Sequence, residues 1–435
     1  MQRREFIKQT GLLLGAVPAA GTISISKILQ KESASAFDPM NWSDVRDQFP
    51  LTRSHIHLAT FLLASHPRPV ADAIERHRHA LDENPVFYFE ENFMTAESIQ
   101  RAAAAEYLGA NPDHIALTDS TTMGLGLVYG TLKLRPGQEI LTTTHDHYST
   151  EMSIRHRAER TGASVRQISL YDNPADASVD EILTRMRNAI TPQTRVLAVT
   201  WVHSNTGVKL PIAEMALVLQ EMNASRETDD RVLFCVDGVH GLGIENVNVN
   251  ELGCDFLIAG THKWLFGPRG TGIIWGRPEA WNAVAPIMPS FGPDYGVWLG
   301  FLTPDQVPVG DHFTPGGFHS FEHRWALGEA FRFHLNIGKA RVQERIHLLN
   351  TLAKQALAEM PHVRLHTPMS ENLSSGMICF DVDGYTPYQV VENLLVHRII
   401  ASTTPYRETY ARLAPSLINN EEEVQRCVDV IAEMR

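Results

Sequence analysis

Cysteine is scarce in this chain, with four in 435 residues, at positions 235, 254, 379 and 427. They are widely spaced and form no Cys-x-x-Cys pair, so neither a disulfide framework nor a thiolate metal site is indicated. Positive charge is also in deficit, with 38 Lys and Arg against 50 Asp and Glu and a formal net charge of −12. Residues 1–36 hold Arg3, Arg4, Lys8, Lys27 and Lys31 against Glu5 and Glu32, so the rest of the chain is more acidic still. Neutralising nucleic-acid phosphates takes clustered Lys and Arg, and this balance excludes a nucleic-acid partner. Low-complexity tracts and repeats of solenoid period are missing as well, and 43% hydrophobic content excludes a disordered chain. The histidines offer no His-Glu-x-x-His spacing. His77 and His79 fall on different faces of a helix, which reads as a solvated surface and no metal site.

At the start stand Arg3-Arg4-Glu5-Phe6-Ile7-Lys8, a modestly hydrophobic run from Thr10 to Ile25, and Ala34-Ser35-Ala36. Gly11, Gly15, Pro18 and Gly21 make that run a poor helix, and its polarity argues against a membrane anchor. The segment resembles a twin-arginine signal peptide ending in an Ala-x-Ala cleavage site. The expectation is export of an already folded protein to the periplasm, or otherwise out of the cytoplasm, by the twin-arginine machinery.

Beyond residue 36, short apolar runs rich in β-formers alternate with helical patterns. Ile115–Thr118, Glu139–Thr143, Val196–Val202, Val232–Val236, Phe256–Ala259 and Gly272–Trp275 read as buried strands, with helices over Ser178–Ala189 and Ile212–Asn223. That alternation predicts an α/β fold, a mostly parallel sheet with helices on both faces and a ligand beyond the carboxyl ends of the strands. After a Pro and Gly-rich passage near Gly310–Gly317 come one long helical pattern from Arg324 to about Met360, a strand over Gly376–Val382 and a last helix over Glu421–Met434. The division is an N-terminal arm over 37–66, a large domain over 67–310 and a smaller α/β domain over 311–435.

The strand ends carry the chemistry. Thr118-Asp119-Ser120-Thr121-Thr122-Met123-Gly124 is a turn entering a helix, where backbone N–H groups, hydroxyls and the dipole make a phosphate site, although Asp119 or Ser120 also suits a plain helix cap. Asp237-Gly238-Val239-His240 places a carboxylate where it could pair with a protonated ring nitrogen. In Gly260-Thr261-His262-Lys263-Trp264, apolar strands flank a lysine, and desolvation there lowers its pKa and makes the amine nucleophilic. A lysine amine, an acid, a stacking ring and a phosphate cup are what pyridoxal phosphate requires.

The order Asp-Ser-Thr-Thr, Asp-His, His-Ser-Asn, Asp-Gly-x-His and Thr-His-Lys, each after a strand, resembles the class V aminotransferases, a fold-type I group that includes isopenicillin N epimerase-like proteins, cysteine desulfurases and kynureninases. The resemblance covers nearly all of the chain after residue 36 and implies a homodimer with a mostly parallel, seven-stranded type of sheet. It implies that Lys263 carries the cofactor as a Schiff base, that Asp237 pairs with the pyridine nitrogen and that His240 lies beside it. It also makes Thr121, Thr122 and His262 the phosphate contacts, with Ser120 of the same turn a further cofactor-binding residue, His147 the imidazole stacked on the ring, with Tyr148 as a substitute, and Asn205 the amide on the phenolic oxygen. Arg412, in Ala411-Arg412-Leu413, resembles the arginine that holds a substrate carboxylate. Arg407 competes with it from Tyr406-Arg407.

Two departures from the family stand out. Where relatives place a Gly-Thr pair from the neighbouring subunit on the phosphate, this chain has Gly316-Gly317-Phe318-His319-Ser320. A desulfurase also needs a thiolate on a mobile loop, whereas Cys379 falls in a predicted strand and Cys427 in the last helix. The resemblance therefore implies an amino-acid substrate, a Cα carbanion and an aminotransferase or isopenicillin N epimerase-like outcome, with His147 or Tyr148 as the second acid for epimerisation. A C–S or β-lyase is the alternative, and a non-catalytic cofactor-binding protein is the alternative of another class.

Overall fold

The computed structural model describes residues 37–434, so the expected signal peptide lies outside the described residues. Seven strands form the central sheet: β1 Ile115–Thr118, β2 Glu139–Thr143, β3 Ser164–Ile168, β4 Thr194–Thr200, β5 Leu233–Asp237, β6 Phe256–Gly260 and β7 Gly272–Gly276. Their order is β1-β7-β6-β5-β4-β2-β3, and β7 alone runs against its neighbours. Successive side chains in a strand point to opposite faces. Leu197, Val199, Phe234, Val236 and Leu257 accordingly enter one core, and Val196, Ala198, Cys235, Phe256 and Ile258 enter the other. Helices Val179–Ala189 and Ile212–Asn223 cover the first face through Ile182, Met186, Met215 and Leu219, while Thr121–Thr131 covers the second through Leu125 and Val128.

A smaller antiparallel sheet follows, of β8 Val363–Leu365, β9 Ile378–Val382, β10 Ser402–Thr403 and β11 Ala411–Leu413, in the order β10-β11-β9-β8. The N-terminal arm helps to build this second unit. Ile56–His57 pairs in parallel with Ile399–Ile400, Ala414 donates its N–H to Leu58 O at 2.8 Å, and Ile56 and Leu58 share a core with Phe380, Leu349 and Leu413.

Several elements differ from the sequence reading. Strand β3 has no counterpart in it, because Ser164, Arg166 and Gln167 give an edge strand too polar to register as an apolar run. The single helix expected from Arg324 onwards is two, Leu327–Ile337 and Lys339–Ala358, divided at Gly338, whose φ of 94° no helix accommodates. Phe331, Phe333 and Ile337 of the first enter the larger core, and Leu349, Ala353 and Leu357 of the second enter the smaller one. His77 is half-buried and not solvated, with Nδ1 2.9 Å from Tyr88 Oη and its ring edge-on to Trp325.

Candidate active site

The carboxyl ends of β1, β2, β4, β5 and β6 converge, and the segments leaving them enclose a cavity of about 270 Å³. Ser120, Thr121, Thr122, His147, Asp237, His240, His262, Lys263 and Arg412 all line it, joined by Phe61 and Leu62 of the arm and by Ser149, Ser204 and Pro405. The residues from Ser120 to Lys263 meet because the parallel strands of one sheet deliver them to the same edge, while Phe61 comes from the arm and Arg412 from the smaller sheet.

Ser120 caps the helix Thr121–Thr131, its hydroxyl accepting from Met123 N at 3.1 Å. Thr121 Oγ1 accepts from Gly260 N at 2.8 Å, which leaves its own proton to donate, and Thr122 Oγ1 lies 3.0 Å from Ser149 Oγ. A Cβ at Gly260 would stand 2.9 Å from Thr121 Oγ1, so this close approach needs glycine. The helix dipole and these hydroxyls together suit a phosphate. Asp119 is directed elsewhere, to Arg324 Nη2 at 2.6 Å.

Asp237 ends β5 and is buried. Loss of water pushes its carboxyl up to about 6, against the Val239 N–H on Oδ1 and the charge of Lys263. Lys263 is brought down to about 8 by desolvation, with Asp237 opposing and Arg412 assisting. His147 caps the helix Tyr148–Thr161, and its Nδ1 accepts from Ser149 N at 3.2 Å. Burial first, and then the charges of Lys263 and Arg412, hold it below the ordinary histidine range, and with Nδ1 accepting, a neutral ring carries its proton on Nε2. Arg412 sits opposite Cys379 in the pairing of β11 with β9 and is 1% exposed. It donates to Ser204 O at 2.7 Å, Ser402 Oγ at 3.2 Å and Thr403 O at 3.3 Å, and lies 4.3 Å over the Phe61 ring. Among the described residues no carboxylate pairs with it.

Three expected residues stand apart from the cavity wall. Tyr148 is 70% exposed, because the helix it opens turns it outwards, and Arg407 is exposed on its loop. Tyr406, beside it, takes the inner place, with its hydroxyl 2.7 Å from Ser204 Oγ and its ring edge-on to His147. Asn205 is partly buried, and its Oδ1, like His262 Nδ1, is a buried polar atom with no hydrogen-bond partner among the described residues. In the Gly316–Ser320 segment, His319 Nδ1 bonds Gly317 O at 3.1 Å and Phe318 is 86% exposed. Sequence reading also missed Asp146, whose Oδ2 accepts from Thr142 Oγ1, Thr143 N and Thr143 Oγ1 at 2.7–2.8 Å and so fixes the loop that carries His147. Its place beside His147 was the available signal. Phe61 and Leu62 left none.

The wall thus offers a place for a phosphate, a buried acid for a basic ring nitrogen, an amine and the unpartnered His262 Nδ1, with Asn205 Oδ1 set back from it. A planar aldehyde cofactor with a phosphate arm fits such a set of donors and acceptors.

The family model described as aminotransferase class V matches residues 64–404. Isopenicillin N epimerase of Streptomyces clavuligerus is 25% identical over 405 residues, which are 90% of this chain and 98% of the relative. A cysteine desulfurase of Pectobacterium carotovorum subsp. carotovorum is 24% identical over 416 residues, 88% of this chain and 95% of the relative. Among solved structures, the cystine C–S lyase C-DES with its product cysteine persulfide superposes with a TM-score of 0.77 at 22% identity, covering 89% of this chain and 100% of that one. The cysteine desulfurase of Thermococcus onnurineus NA1 gives 0.76 at 21%, covering 92% and 99%.

Proposed function

Because the chain belongs to the class V aminotransferase family, we propose that the cavity holds pyridoxal phosphate and that the enzyme moves the Cα proton of an amino acid, with epimerisation as its outcome. One observation carries this reading. Lys263 follows β6 and His147 follows β2, on opposite sides of the strand that bears Asp237, and both line one cavity under an arginine that has no acid partner among the described residues.

When bound, pyridoxal phosphate supplies an electron-poor ring able to stabilise negative charge at a substrate Cα. Ser120, Thr121 and Thr122 would hold its phosphate, Asp237 its ring nitrogen and Asn205 its phenolic oxygen, with His147 against the ring. Arg412 is free to take the substrate carboxylate in a bidentate grip. Lys263, once its amine is free, takes a proton at Nζ, and a lowered pKa keeps part of it in the accepting form near neutrality. Transamination needs the lysine alone. Epimerisation needs a second proton carrier on the other side, and His147, with its proton on Nε2 and Tyr406 beside it, supplies one.

Persulfide chemistry of the desulfurase kind is not favoured. All four cysteines are buried, none lines the cavity, and burial pushes the Cys379 thiol up to about 12.

Borohydride treatment of the purified protein should leave a pyridoxyl adduct on Lys263, and Lys263→Ala should carry none. In deuterated water with a panel of L-amino acids, Cα exchange with loss of chirality and no keto acid is the expected result. Keto acid with chirality retained would replace epimerase by aminotransferase, and sulfide with pyruvate would replace it by C–S lyase. No adduct and no exchange would remove the whole reading.

A further inference from the structure

The contact between Lys263 and His240 has a polarity that a third residue decides. Trp264 Nε1 donates to His240 Nδ1 at 3.1 Å, and His240 Nε2 lies 3.2 Å from Lys263 Nζ. An indole N–H is a donor and never an acceptor. His240 Nδ1 must therefore present a lone pair, and the neutral ring keeps its single proton on Nε2. That proton faces Lys263 Nζ, which can receive it only through a lone pair of its own. An ammonium at Nζ would oppose two donors. A second proton on the ring, at Nδ1, would oppose the indole instead.

We propose that Trp264 is a positioning residue for the reaction: by pinning the tautomer of His240, it holds the Lys263 amine in its uncharged, proton-accepting form.

The indole has no room to turn away. Trp264 is 2% exposed and stacks on Phe61 of the arm with ring centroids 5.9 Å apart and planes 19° apart. A Cβ added at Gly376, in the segment leading into β9, would stand 2.6 Å from its Cη2. Arm, large sheet and small unit thus clamp the donor from three directions, and Phe61 also sets its ring edge-on to His240. His240 is buried and held well below the ordinary histidine range by desolvation first and by Lys263 and Arg412 after it, which keeps the second proton off the ring.

Other groups act on the same amine. The Asp237 carboxylate favours its charge and the Arg412 guanidinium opposes it. His147 and His262 share the cavity, both lowered chiefly by burial, and the Tyr406 hydroxyl is raised by burial. None of these dictates which atom of the Lys263–His240 pair donates. The Trp264 bond does.

This inference rests on Lys263 being the amine of the proposed reaction, and two measurements keep the failures apart. The first needs no activity and no variant that must fold differently. In the full chain labelled with 15N-histidine, the His240 signal, identified by its loss in His240→Gln, should show Nε2 protonated and Nδ1 bare from pH 6 to 9. The opposite tautomer, or an imidazolium in that range, overturns the proposal. The second is the pH profile of kcat for Cα exchange by the holoenzyme. Trp264→Phe frees the ring to exchange tautomers and accept from an ammonium, so the acid limb should move up by about one pH unit, the equivalent of one hydrogen bond to a charged group, with KM little changed. A limb that stays in place with kcat merely lowered assigns Trp264 a packing role and overturns the proposal. Wild-type protein that exchanges no Cα proton at all removes the reading of Lys263 instead.

Discussion

Arg412 is a cation buried among neutral oxygens, an arrangement that costs stability unless an anion arrives to complete it. Its three bonds to Ser204 O, Ser402 Oγ and Thr403 O orient the guanidinium without cancelling its charge. Arg412→Gln should lower kcat/KM for an amino acid about 100-fold or more, on the scale of a truncated buried ion pair, with most of the loss in KM. Lysine should rescue little, since it lacks the planar fork. Steady-state kinetics in which KM did not move would separate Arg412 from the substrate carboxylate. At this scale the sequence was legible where residue type and strand end coincided, as for Lys263, Asp237 and His147. It favoured Arg412 over Arg407 by resemblance alone and could not show that one is buried and the other exposed, because the burial of Arg412 comes from the pairing of β11 with β9.

Between the two sheets, single side chains tie elements together. Glu245, in the segment after β5, bonds Lys209 Nζ at 2.8 Å, His347 Nε2 at 3.0 Å and Ser375 Oγ at 2.6 Å, so the segments following β4 and β5, the helix Lys339–Ala358 and the lead into β9 meet on one carboxylate. Burial alone would raise its pKa, but the His347 hydrogen bond and the Lys209 charge bring it below the ordinary value of 4.5. A carboxyl whose folded pKa is depressed binds fewer protons in the folded state. Its contribution is therefore present above pH 4.5 and lost as pH falls through the lower folded value. Glu245→Gln should reduce unfolding free energy by about 3 kcal/mol at neutral pH, and the gap from wild type should narrow as the medium is acidified below the ordinary glutamate range. Denaturant titrations at pH 7 and in acid test this, and a gap independent of pH would mean that the charge contributes nothing. Element identity came through from periodicity for the buried strands and for Ile212–Asn223. Edge strand β3 and the break at Gly338 did not, since a strand half in solvent has no apolar run and a glycine inside a helical pattern gives no sign of its φ.

Across the whole molecule, large apolar side chains crowd one region. Trp298 is 77% exposed beside Tyr295 and Phe291, a hollow next to them is lined by Phe93, Phe291 and Phe321, and the exposed Phe318 ring lies 5.7 Å from Phe321. Val86 and Phe87 are exposed on a neighbouring helix. A patch of this kind on a monomer calls for a partner. The proposed partner is a second copy of the chain, with the Gly316–Ser320 segment close enough to the patch to meet it. Sedimentation should give a dimer, and Trp298→Glu should shift it towards monomer, while a wild-type monomer at micromolar concentration would refute the assignment. Export is proposed on the first 36 residues alone. Fused to a folded reporter they should direct it out of the cytoplasm, and transport that survives replacement of Arg3 and Arg4 by Lys would exclude the twin-arginine route.

Local order in the sequence sufficed for the alternation of strand and helix, the acid at 237, the lysine at 263 and the hydroxyl turn at 120–122, because each depends on periodicity or on residue type at a strand end. The tertiary structure decided what depends on distant segments coming together. It set Phe61 from the arm against Trp264, turned Arg412 and Tyr406 inwards while leaving Arg407 and Tyr148 outside, and joined Trp264, His240 and Lys263 in one line of hydrogen bonds. Burial and hydrogen-bond polarity are properties of neighbours in space, and no reading along the chain contains them.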